Sequence, residues 1–335
     1  SKFGSAFIRN FAEIMRIGDD KPDLGFHPGG YLFLASTAEQ EQTLRENHEV
    51  QKAHGADVVL WGPGELAKAF PHLNVDDIRL SSYGRSGEGW FNNTGLMHGF
   101  RNKARAQGAE YVTDEVVAIG RNGNRVTSVT LKSGAVVKAG AIVNASGPRG
   151  GRTAAMAGIA LPVEPRRRTL FVFDCATTPE GSATVNQGRL PLMIDPTGVH
   201  CRPEGRYFLT GAVPPDDTPP AFDDFEPGYS EFEEIIWPAL VHRSKAFESI
   251  KVLRQWAGHY DYNTLDQNAI VGRHPEVANF VFCNGFSGHG LQQAPGAARA
   301  VAELITYGRY RTLDLSDVGY ERIAAGRPFL EKAVI

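Results

Sequence analysis

Apolar and polar positions alternate between helical and strand spacing along the first ninety residues. Residues 6–17 repeat apolar side chains every three or four positions, which predicts an amphipathic helix. Residues 31–35 form a continuous apolar run after a Gly-Gly pair and predict a buried strand. The polar stretch 39–54 predicts an exposed helix, residues 58–60 a short strand, and residues 64–70 a helix that begins after a proline.

Helix and turn signals are clearer after residue 90. Thr94 is the predicted N-cap of a helix at 95–107, which ends at Gly108. Four short strands follow, at residues 110–113, 116–119, 126–131 and 135–137. Asn122-Gly123 and Ser133-Gly134 supply tight turns, so we expect an antiparallel meander.

A run of small apolar residues, AGAIVNASGP at 139–148, follows the meander. Because it is apolar on both faces, it predicts a central strand that is covered on both sides. Residues 161–258 then combine strands and loops with a helix near 230–247 and an acidic, proline-rich surface loop at 216–227. Their strand candidates lie at residues 171–173, 207–211 and 252–258.

Composition limits the classes of protein that fit. A chain of 335 residues predicts two domains or one interleaved unit, and 42% hydrophobic with 22% charged residues indicates a globular protein. The net charge of −3 argues against a nucleic-acid-binding protein. We expect no transmembrane helix, since no run of ~18 apolar residues occurs. The three cysteines are far apart, which argues against a metal or disulfide framework and favours a reducing compartment.

Residues 285–290, GFSGHG, lie between a predicted strand and a helix of small residues within the segment 279–305. Glycines at such a turn let a ligand approach the backbone, and the helix N-terminus offers free N–H groups to an anionic oxygen. The alternative is a turn that only packs the helix onto the sheet. The order GxxGxG differs from the GxGxxG dinucleotide motif, which occurs nowhere in the chain. Nor are GxxxxGK[ST], GxSxG or HExxH present.

Three further groups of residues are candidates for chemistry, each with a structural alternative. The segment 144–147, NASG, ends a strand where nucleotides dock in doubly wound folds, or it is simply a turn. His259 is a candidate for proton transfer or hydrogen bonding, or it is a structural histidine beside two tyrosines. The run 166–168, three arginines, suits a carboxylate, or it is a solvated charged face.

Taken together, the chain resembles the D-amino-acid-oxidase-like family of FAD-dependent amine and amino-acid oxidoreductases. The branch in question includes sarcosine oxidase, glycine oxidase and dimethylglycine dehydrogenase. The resemblance rests on IVNASG, on WAGHYDYNTLDQN and on the long segment NAIVGRHPEVANFVFCNGFSGHGLQQAPGAARAVAELI, and it covers residues 29–335. It implies a mixed α/β fold, in which a Rossmann-like FAD-binding domain without its first βαβ unit is interleaved with an antiparallel-sheet substrate domain.

The resemblance also implies domain boundaries. We expect the FAD-binding domain at residues 1–20, 81–160 and 268–335, and the substrate domain at 21–80 and 161–267. Since GxGxxG is absent, we expect an N-terminally truncated member that lacks ~50 residues of a complete Rossmann half. The missing turn would hold the pyrophosphate, so FAD binding by this chain is expected to be impaired.

The implied cofactor is non-covalent FAD, and no metal site is expected. The residues that the resemblance assigns to FAD are Val116, Ala145, Ser146, Gly147, Gly285, Phe286, Ser287, Gly288, His289, Gly290 and Leu291. Leu291 and the glutamines after it stand where sarcosine oxidase has a carboxylate-binding lysine, and Pro148-Arg149 replaces a small residue followed by Trp. The segment 259–264 contains no cysteine for a covalent flavin. These departures argue against sarcosine as substrate.

The expected activity is oxidation of the C–N bond of a secondary amine or amino acid by hydride transfer to flavin. His259, Tyr260 and Arg202 are the candidate substrate contacts. The expected partner is a small amine or amino acid, the electron acceptor is left open, and so is peripheral contact with a membrane. The compartment is cytoplasmic in a bacterium or the mitochondrial matrix in a eukaryote. The alternative function is an assembly factor that retains the fold, like those of respiratory complex I.

Overall fold

The computed structural model describes residues 1–330, which contain one large sheet, two small sheets and surrounding helices. The helices are α1 (Lys2–Arg9), α2 (Phe11–Ile14), α3 (Ala38–Ala53), α4 (Pro63–Ala69), α5 (Asn93–Ala106), α6 (Gly150–Ala155), α7 (Trp237–Arg243), α8 (Gly290–Tyr307) and α9 (Tyr320–Ala324). The first seven strands are β1 (Tyr31–Ala35), β2 (Val58–Trp61), β3 (Leu80–Gly84), β4 (Val116–Asn122), β5 (Arg125–Leu131), β6 (Val136–Lys138) and β7 (Ile142–Asn144). The remaining strands are β8 (Val163–Cys175), β9 (Leu192–Ile194), β10 (His200–Glu204), β11 (Tyr207–Gly211), β12 (Ile250–Asn263), β13 (Ile270–Arg273) and β14 (Phe280–Asn284).

The large sheet has eight strands in the order β12-β8-β11-β10-β9-β1-β3-β2. All neighbours are antiparallel except β1 and β9. One face carries the main hydrophobic core, in which Phe171, Phe173 and Phe208 meet Phe232 and Phe247 from the helical segment that packs there. The other face, which we call the open face, carries several polar side chains.

The strand register fixes which side chains share the open face. Paired residues lie on the same side of a sheet, and so do residues two apart in one strand. Tyr31 pairs with Leu192, and His200 pairs with Ile194 and with Gly211. Gly211 pairs with Leu170, and Arg168 pairs with Gly258. The open face therefore presents Tyr31, Arg168, His200, Arg202 and Tyr260.

The two small sheets surround the glycine-rich segments. In the order β13-β14-β7, β14 runs parallel to β7 and antiparallel to β13. The strands β4, β5 and β6 form the expected meander, with Gly123 in the first turn. Helix α8 follows β14 directly, as the sequence predicts. None of the helices in residues 1–330 has the length and apolar character that crossing a bilayer requires.

Local signals in the sequence predicted many element boundaries correctly. Strand β1 coincides with the apolar run at 31–35, and α4 begins at Pro63. The exposed helix at 39–54 is α3, whose N-terminus is closed by a capping box between Thr37 and Gln40. Residues 216–227 form the expected loop without helix or strand.

Other predictions were wrong. Residues 110–113 form no strand, and the N-cap of α5 is Asn92, whose side chain accepts the N–H of Gly95 at 2.9 Å, rather than Thr94. The helix at 230–247 is divided into a π-helical turn at Phe232–Ile236, α7 and a 3₁₀ turn. Pro238 contributes to this break because it has no N–H for the helical ladder.

The apolar strand at 139–148 is also not the central strand that its composition predicts. In the described residues β7 is an edge strand that pairs only with β14, and Val143 is 38% exposed. Burial of a strand depends on what packs against it, and the alternation of side chains does not specify that neighbour.

Candidate functional site

The two glycine-rich segments meet at one edge of the small parallel sheet. Because β7 and β14 are parallel, their carboxyl ends lie side by side, with Asn144 paired to Phe282. The Asn284 Nδ2 lies 3.3 Å from the Asn144 Oδ1, and the Asn144 Nδ2 donates to the Gly150 carbonyl at 2.9 Å. Asn284 Oδ1 is buried without a hydrogen-bond partner among residues 1–330. This edge thus joins segment 145–147 to segment 285–288.

The second segment holds an unusual backbone turn. Ser287 is fully buried and has a positive φ of 49°, a conformation that costs a non-glycine residue free energy. Its hydroxyl accepts the N–H of Asn263 at 3.0 Å and donates to the Gly285 carbonyl at 3.3 Å, so side-chain bonds hold the turn. Gly288 has φ of 96°, and a Cβ atom there would lie 2.8 Å from the Tyr260 ring. Only glycine suits that position.

Helix α8 begins directly after this turn and lacks a side-chain cap. Its N-cap residue, His289, makes no capping hydrogen bond, so the first N–H groups are available to an anionic or carbonyl oxygen. Helix α1 packs closely against the same first turn, since a Cβ at Gly4 would lie 1.7 Å from the Gln292 carbonyl oxygen. The exposed residues Gly288 and Leu291 mark the side of the turn that remains accessible.

These features fit the flavin end of FAD. An uncapped helix N-terminus stabilises negative charge, and the backbone of Gly288 is exposed, so a ligand can reach it. The other residues that the resemblance assigns to FAD lie close by or in the meander. Ala145 and Ser146 are exposed, Gly147 is half-buried, and Val116 begins β4. Their contacts with FAD stay a prediction.

A carboxylate lies beneath the turn. The pKa of Asp261 is raised because burial disfavours the charged form, and backbone N–H groups of Phe286, Gly285 and Ser287 partly oppose this shift. Burial, with a smaller contribution from Asp261, also raises the pKa of the Cys283 thiol to about 12. Cys283 is therefore a neutral thiol at physiological pH and is not activated as a nucleophile.

Tyr260 connects the turn to the open face of the large sheet. The Arg168 guanidinium lies 5.0 Å from the centre of the Tyr260 ring. The same guanidinium donates two hydrogen bonds to Asp217, at 2.6 and 3.1 Å. Burial raises the pKa of the Tyr260 hydroxyl, and Arg168 partly opposes that shift.

A second arginine lies across this face. The Arg202 guanidinium lies 5.4 Å from the Trp90 ring centre and forms an ion pair with Glu204. The pKa of Tyr31 is raised by burial and by Glu88, whereas Arg202 lowers it, so the Tyr31 phenol lies within electrostatic reach of both groups. Tyr260 also raises the pKa of Tyr31 slightly. The structure thus brings Arg202 and Tyr260 to the same face, with Tyr31 in reach of both.

His259 faces the other way. Its ring stacks on Phe225 with centroids 4.5 Å apart, and its Nε2 lies 2.6 Å from the Asp224 carbonyl oxygen. Neighbouring residues in a strand point to opposite faces, so His259 and Tyr260 are separated by the sheet. The structure therefore does not bring together all three side chains that the sequence proposed as substrate contacts.

Sequence reasoning missed several residues on the open face. The sequence predicts Tyr31 only as part of a strand, and no motif points to Glu88 or His200. Arg168 belonged to a run that we expected to be a solvated face, but it is 8% exposed. Successive residues of that run point to opposite faces of the sheet, so Arg168 lies on the open face. The register with β12 decides this, and the sequence alone does not supply it.

His200 is a neutral member of this face. Burial, followed by the charges of Arg202 and Arg168, lowers its pKa to about 4. Its Nδ1 is buried without a hydrogen-bond partner in the part of the chain that the structure describes. At physiological pH His200 therefore contributes a polar but uncharged surface beside the two arginines.

A glycine turn before an uncapped helix lies next to a sheet face with aromatic and arginine side chains, and this arrangement suits a flavin-dependent oxidoreductase. A family model described as FAD dependent oxidoreductase matches residues 4–304. The chain belongs to this family, whose cofactor is FAD.

Individual relatives agree with this assignment. The chain is 38% identical to FAD-dependent oxidoreductase domain-containing protein 1 of Xenopus laevis, over 100% of this chain and 72% of that protein. It is 22% identical to mitochondrial sarcosine dehydrogenase of Mus musculus, over 87% of this chain and 32% of that protein. Among solved structures, L-proline dehydrogenase from P. horikoshii matches with a TM-score of 0.83 and 26% identity, over 98% of this chain and 83% of that one.

Proposed function

We propose that this protein oxidises the C–N bond of a secondary amine or amino acid. The observation that carries the proposal is the position of Tyr260. Its ring touches the glycine turn at Gly288 on one side and the Arg168 guanidinium on the other. The bound flavin would supply the hydride acceptor, and the protein would orient the substrate and exclude water.

Different regions of the chain would bind different parts of FAD. The uncapped start of α8 and the turn at 285–288 would hold the flavin end, while segment 145–147 and Val116 would lie along the nucleotide. The FAD-binding domain would comprise residues 1–20, 81–160 and 268–335, and the substrate domain would comprise 21–80 and 161–267. The separate small sheets and the large sheet support this division except at residues 81–84, which belong to β3 and pair with β1 and β2 in the large sheet.

Arg202 and Tyr260 would contact the substrate, with Arg202 attracting a carboxylate and Tyr260 forming one wall. Arg forms strong hydrogen bonds with carboxylates, which makes an anionic amino acid a suitable ligand. His259 has no part in this contact because its ring packs on Phe225 beyond the sheet. Its role is to position the loop at 216–227.

The similarity to L-proline dehydrogenase and sarcosine dehydrogenase supports an amino-acid substrate with a secondary nitrogen, since L-proline and sarcosine share that group. They favour an oxidoreductase over an assembly factor. The electron acceptor is an oxygen molecule, a quinone or an electron-transfer flavoprotein, and the choice is separate from the chemistry at the C–N bond. We also propose that the protein acts in the cytoplasm of a bacterium or in the mitochondrial matrix of a eukaryote.

The test is anaerobic mixing of the FAD-loaded, full-length protein with L-proline, sarcosine, N,N-dimethylglycine and glycine. We expect at least one secondary or tertiary amine to bleach the visible flavin absorbance, with formation of the corresponding imine or its hydrolysis product. A flavin that none of these compounds reduces, but that dithionite reduces normally, would contradict the proposal.

A further inference from the structure

The segment after β3 folds back over the open face and carries Glu88. A Cβ atom at Gly84 would lie 1.8 Å from the Glu88 Oε2, so Glu88 occupies space that only a glycine leaves free. Similarly, a Cβ at Gly29 would lie 2.5 Å from the Trp90 ring. Close contacts on both sides therefore fix the positions of Glu88 and Trp90 above the sheet.

Glu88 and Arg202 both lie near Tyr31. The Glu88 carboxylate accepts a hydrogen bond from the Tyr31 backbone N–H, and both Glu88 and Arg202 influence the Tyr31 phenol. Arg202 in turn packs on the Trp90 ring. An acidic and a basic side chain thus both lie near one tyrosine, on the face that also carries Tyr260.

Glu88 differs from the two arginines of this face because it has no ion-pair partner among the described residues. Arg202 is paired with Glu204, and Arg168 is paired with Asp217. Glu88 forms no ion pair within residues 1–330, and the ionisable groups that face it are Tyr31, Tyr83 and Asp57, whose own carboxylate binds Arg85. Burial, with a small contribution from Asp57, raises the pKa of Glu88 to about 7. A partly buried carboxylate without a counter-ion is stabilised by a bound cation.

We propose that Glu88 binds the ammonium nitrogen of the amine substrate and accepts its proton. This inference rests on the proposed function and names the group that recognises the nitrogen. In the proton-transfer step an N–H bond of the secondary ammonium breaks and an O–H bond forms on Glu88, which leaves a neutral amine with a free electron pair. Bound FAD would supply the acceptor for a hydride from the adjacent carbon, and the freed electron pair would then form the C=N bond of an iminium product.

The geometry also defines the class of substrate. A ligand with a cationic nitrogen and a carboxylate would direct the nitrogen to Glu88 and the carboxylate towards Arg202. The substrate is therefore a zwitterionic amino acid rather than a neutral alcohol or a dicarboxylate. Tyr31, which lies near both groups, would separate the two ends of the ligand.

The test compares Glu88→Gln with Glu110→Gln, an exposed glutamate, in the full-length FAD-loaded protein. The probes are L-proline, whose nitrogen is cationic, and pyrrole-2-carboxylate, whose nitrogen is not protonated. Binding is measured by calorimetry, and flavin reduction by L-proline is measured anaerobically from pH 5 to pH 9.

We expect Glu88→Gln to weaken L-proline binding ~10–100-fold, the effect of losing a hydrogen bond to a charged group, and to leave pyrrole-2-carboxylate binding unchanged. In the unmodified protein, L-proline binding should strengthen as pH rises through about 7, the pKa of Glu88, and the variant should lose this dependence. Glu110→Gln should behave like the unmodified protein. Retained pyrrole-2-carboxylate binding shows that the variant is folded.

Three results would overturn the inference. In the first, Glu88→Gln binds L-proline as the unmodified protein does. In the second, it loses both ligands equally, which indicates a structural role. The third result applies if the variant does not fold. In that case, L-proline binding by the unmodified protein that does not change with pH would overturn the inference. A flavin that L-proline binding perturbs but that no amine reduces would contradict the proposed function while leaving Glu88 as the ammonium site.

Discussion

The Arg168 guanidinium stacks 5.0 Å from the Tyr260 ring centre while Asp217 binds it through two hydrogen bonds. Asp217 belongs to the loop 216–227, so this ion pair ties the loop to the open face of the sheet. The loop is attached on the other face as well, where His259 stacks on Phe225. An anionic ligand at Arg168 must therefore compete with Asp217.

Replacement of Asp217 by Asn should strengthen the binding of an anionic ligand. The change removes the charge that occupies Arg168, and we expect pyrrole-2-carboxylate affinity to rise ~3–10-fold, as for a charge-assisted hydrogen bond. Calorimetry measures the change, with Asp216→Asn as a control because Asp216 is exposed. Equal affinities in the two variants would show that Arg168 does not meet the ligand.

Replacement of Gly288 by Ala should impair FAD binding. The backbone has φ of 96°, and the new Cβ would lie 2.8 Å from the Tyr260 ring, so the turn must change shape. We expect a ~5–150-fold loss of FAD affinity, since strain of this kind costs about 1–3 kcal/mol. The flavin content after gel filtration reports the effect.

Gly64→Ala is the control for this variant. Gly64 is an exposed residue of α4, and a Cβ there would have no atom within 4 Å. The Gly64→Ala variant should keep its flavin. If Gly288→Ala retains as much FAD as this control, the turn does not approach the cofactor as proposed.

Replacement of Arg202 by Ala should raise the KM for a substrate with a carboxylate, such as L-proline. The variant removes the guanidinium that we assign to its carboxylate, which predicts a ~10-fold increase. Arg206→Ala is a suitable control because Arg206 lies in the adjoining turn with a largely exposed side chain. An unchanged KM would remove Arg202 from the substrate site.

Glu88 should destabilise the folded protein at alkaline pH. Its pKa is raised from 4.5 to about 7, so the folded state binds its proton more tightly than the unfolded state does. The free energy of unfolding therefore decreases as pH rises from about 4.5 through about 7. At pH 8, Glu88→Gln should be more stable by up to ~3 kcal/mol, and near pH 4 the difference should vanish.

Urea denaturation of the two proteins at both pH values measures this difference. The same variant at Glu110 corrects for a general effect of removing a negative charge. A stability difference that is constant with pH would contradict the raised pKa.

Arg243 should be essential for the stability of the large sheet's core. Its side chain is 1% exposed, and it binds Asp195 at 2.8 Å and Asp77 through two hydrogen bonds at 2.8 and 2.9 Å. Arg243→Met leaves the Asp195 carboxylate buried without its partner, which should cost about 3–5 kcal/mol of unfolding free energy. Arg206→Met, which breaks an exposed ion pair with Asp174, should cost less than about 1 kcal/mol.

The same ion pair predicts a pH dependence. Hydrogen bonding to Arg243 lowers the pKa of Asp77, so this contribution to stability is present above the ordinary carboxyl pKa and is lost as pH falls through the lowered value. Acid unfolding of Arg243→Met should lack this part of the transition. A variant that retains the acid transition of the unmodified protein would show that Arg243 does not set the pKa of Asp77.

Several features of the fold and site depend on short-range signals, and the sequence predicted them. Pro63 begins α4 because a proline tolerates the first helical position, and the turn at Gly123 joins β4 to β5. The glycines of segment 285–290 likewise predicted a sharp turn before α8. Each of these signals acts within a few residues, so no knowledge of distant strands is needed.

Other features depend on partners that the sequence does not name. Thr94 and Asn92 both suit an N-cap, and the position at which the helix starts decides between them. The apolar run around β7 suits burial on both faces, but the strand pairs only with β14 in the described residues. Whether a strand lies at the edge of a sheet, and what packs on its faces, is decided only when the whole domain has folded.

The sequence by itself determined the family, the cofactor and the glycine turn at 285–290, because long motifs and local backbone preferences carry that information. Only the tertiary structure decided that Tyr260 faces the site and His259 does not, since a shift of one residue in a strand reverses the face. It also placed Glu88 and Arg168 beside Tyr31 and Tyr260, although they come from distant parts of the chain. Strand register and sheet order bring such side chains together, and both are set by packing over the whole domain.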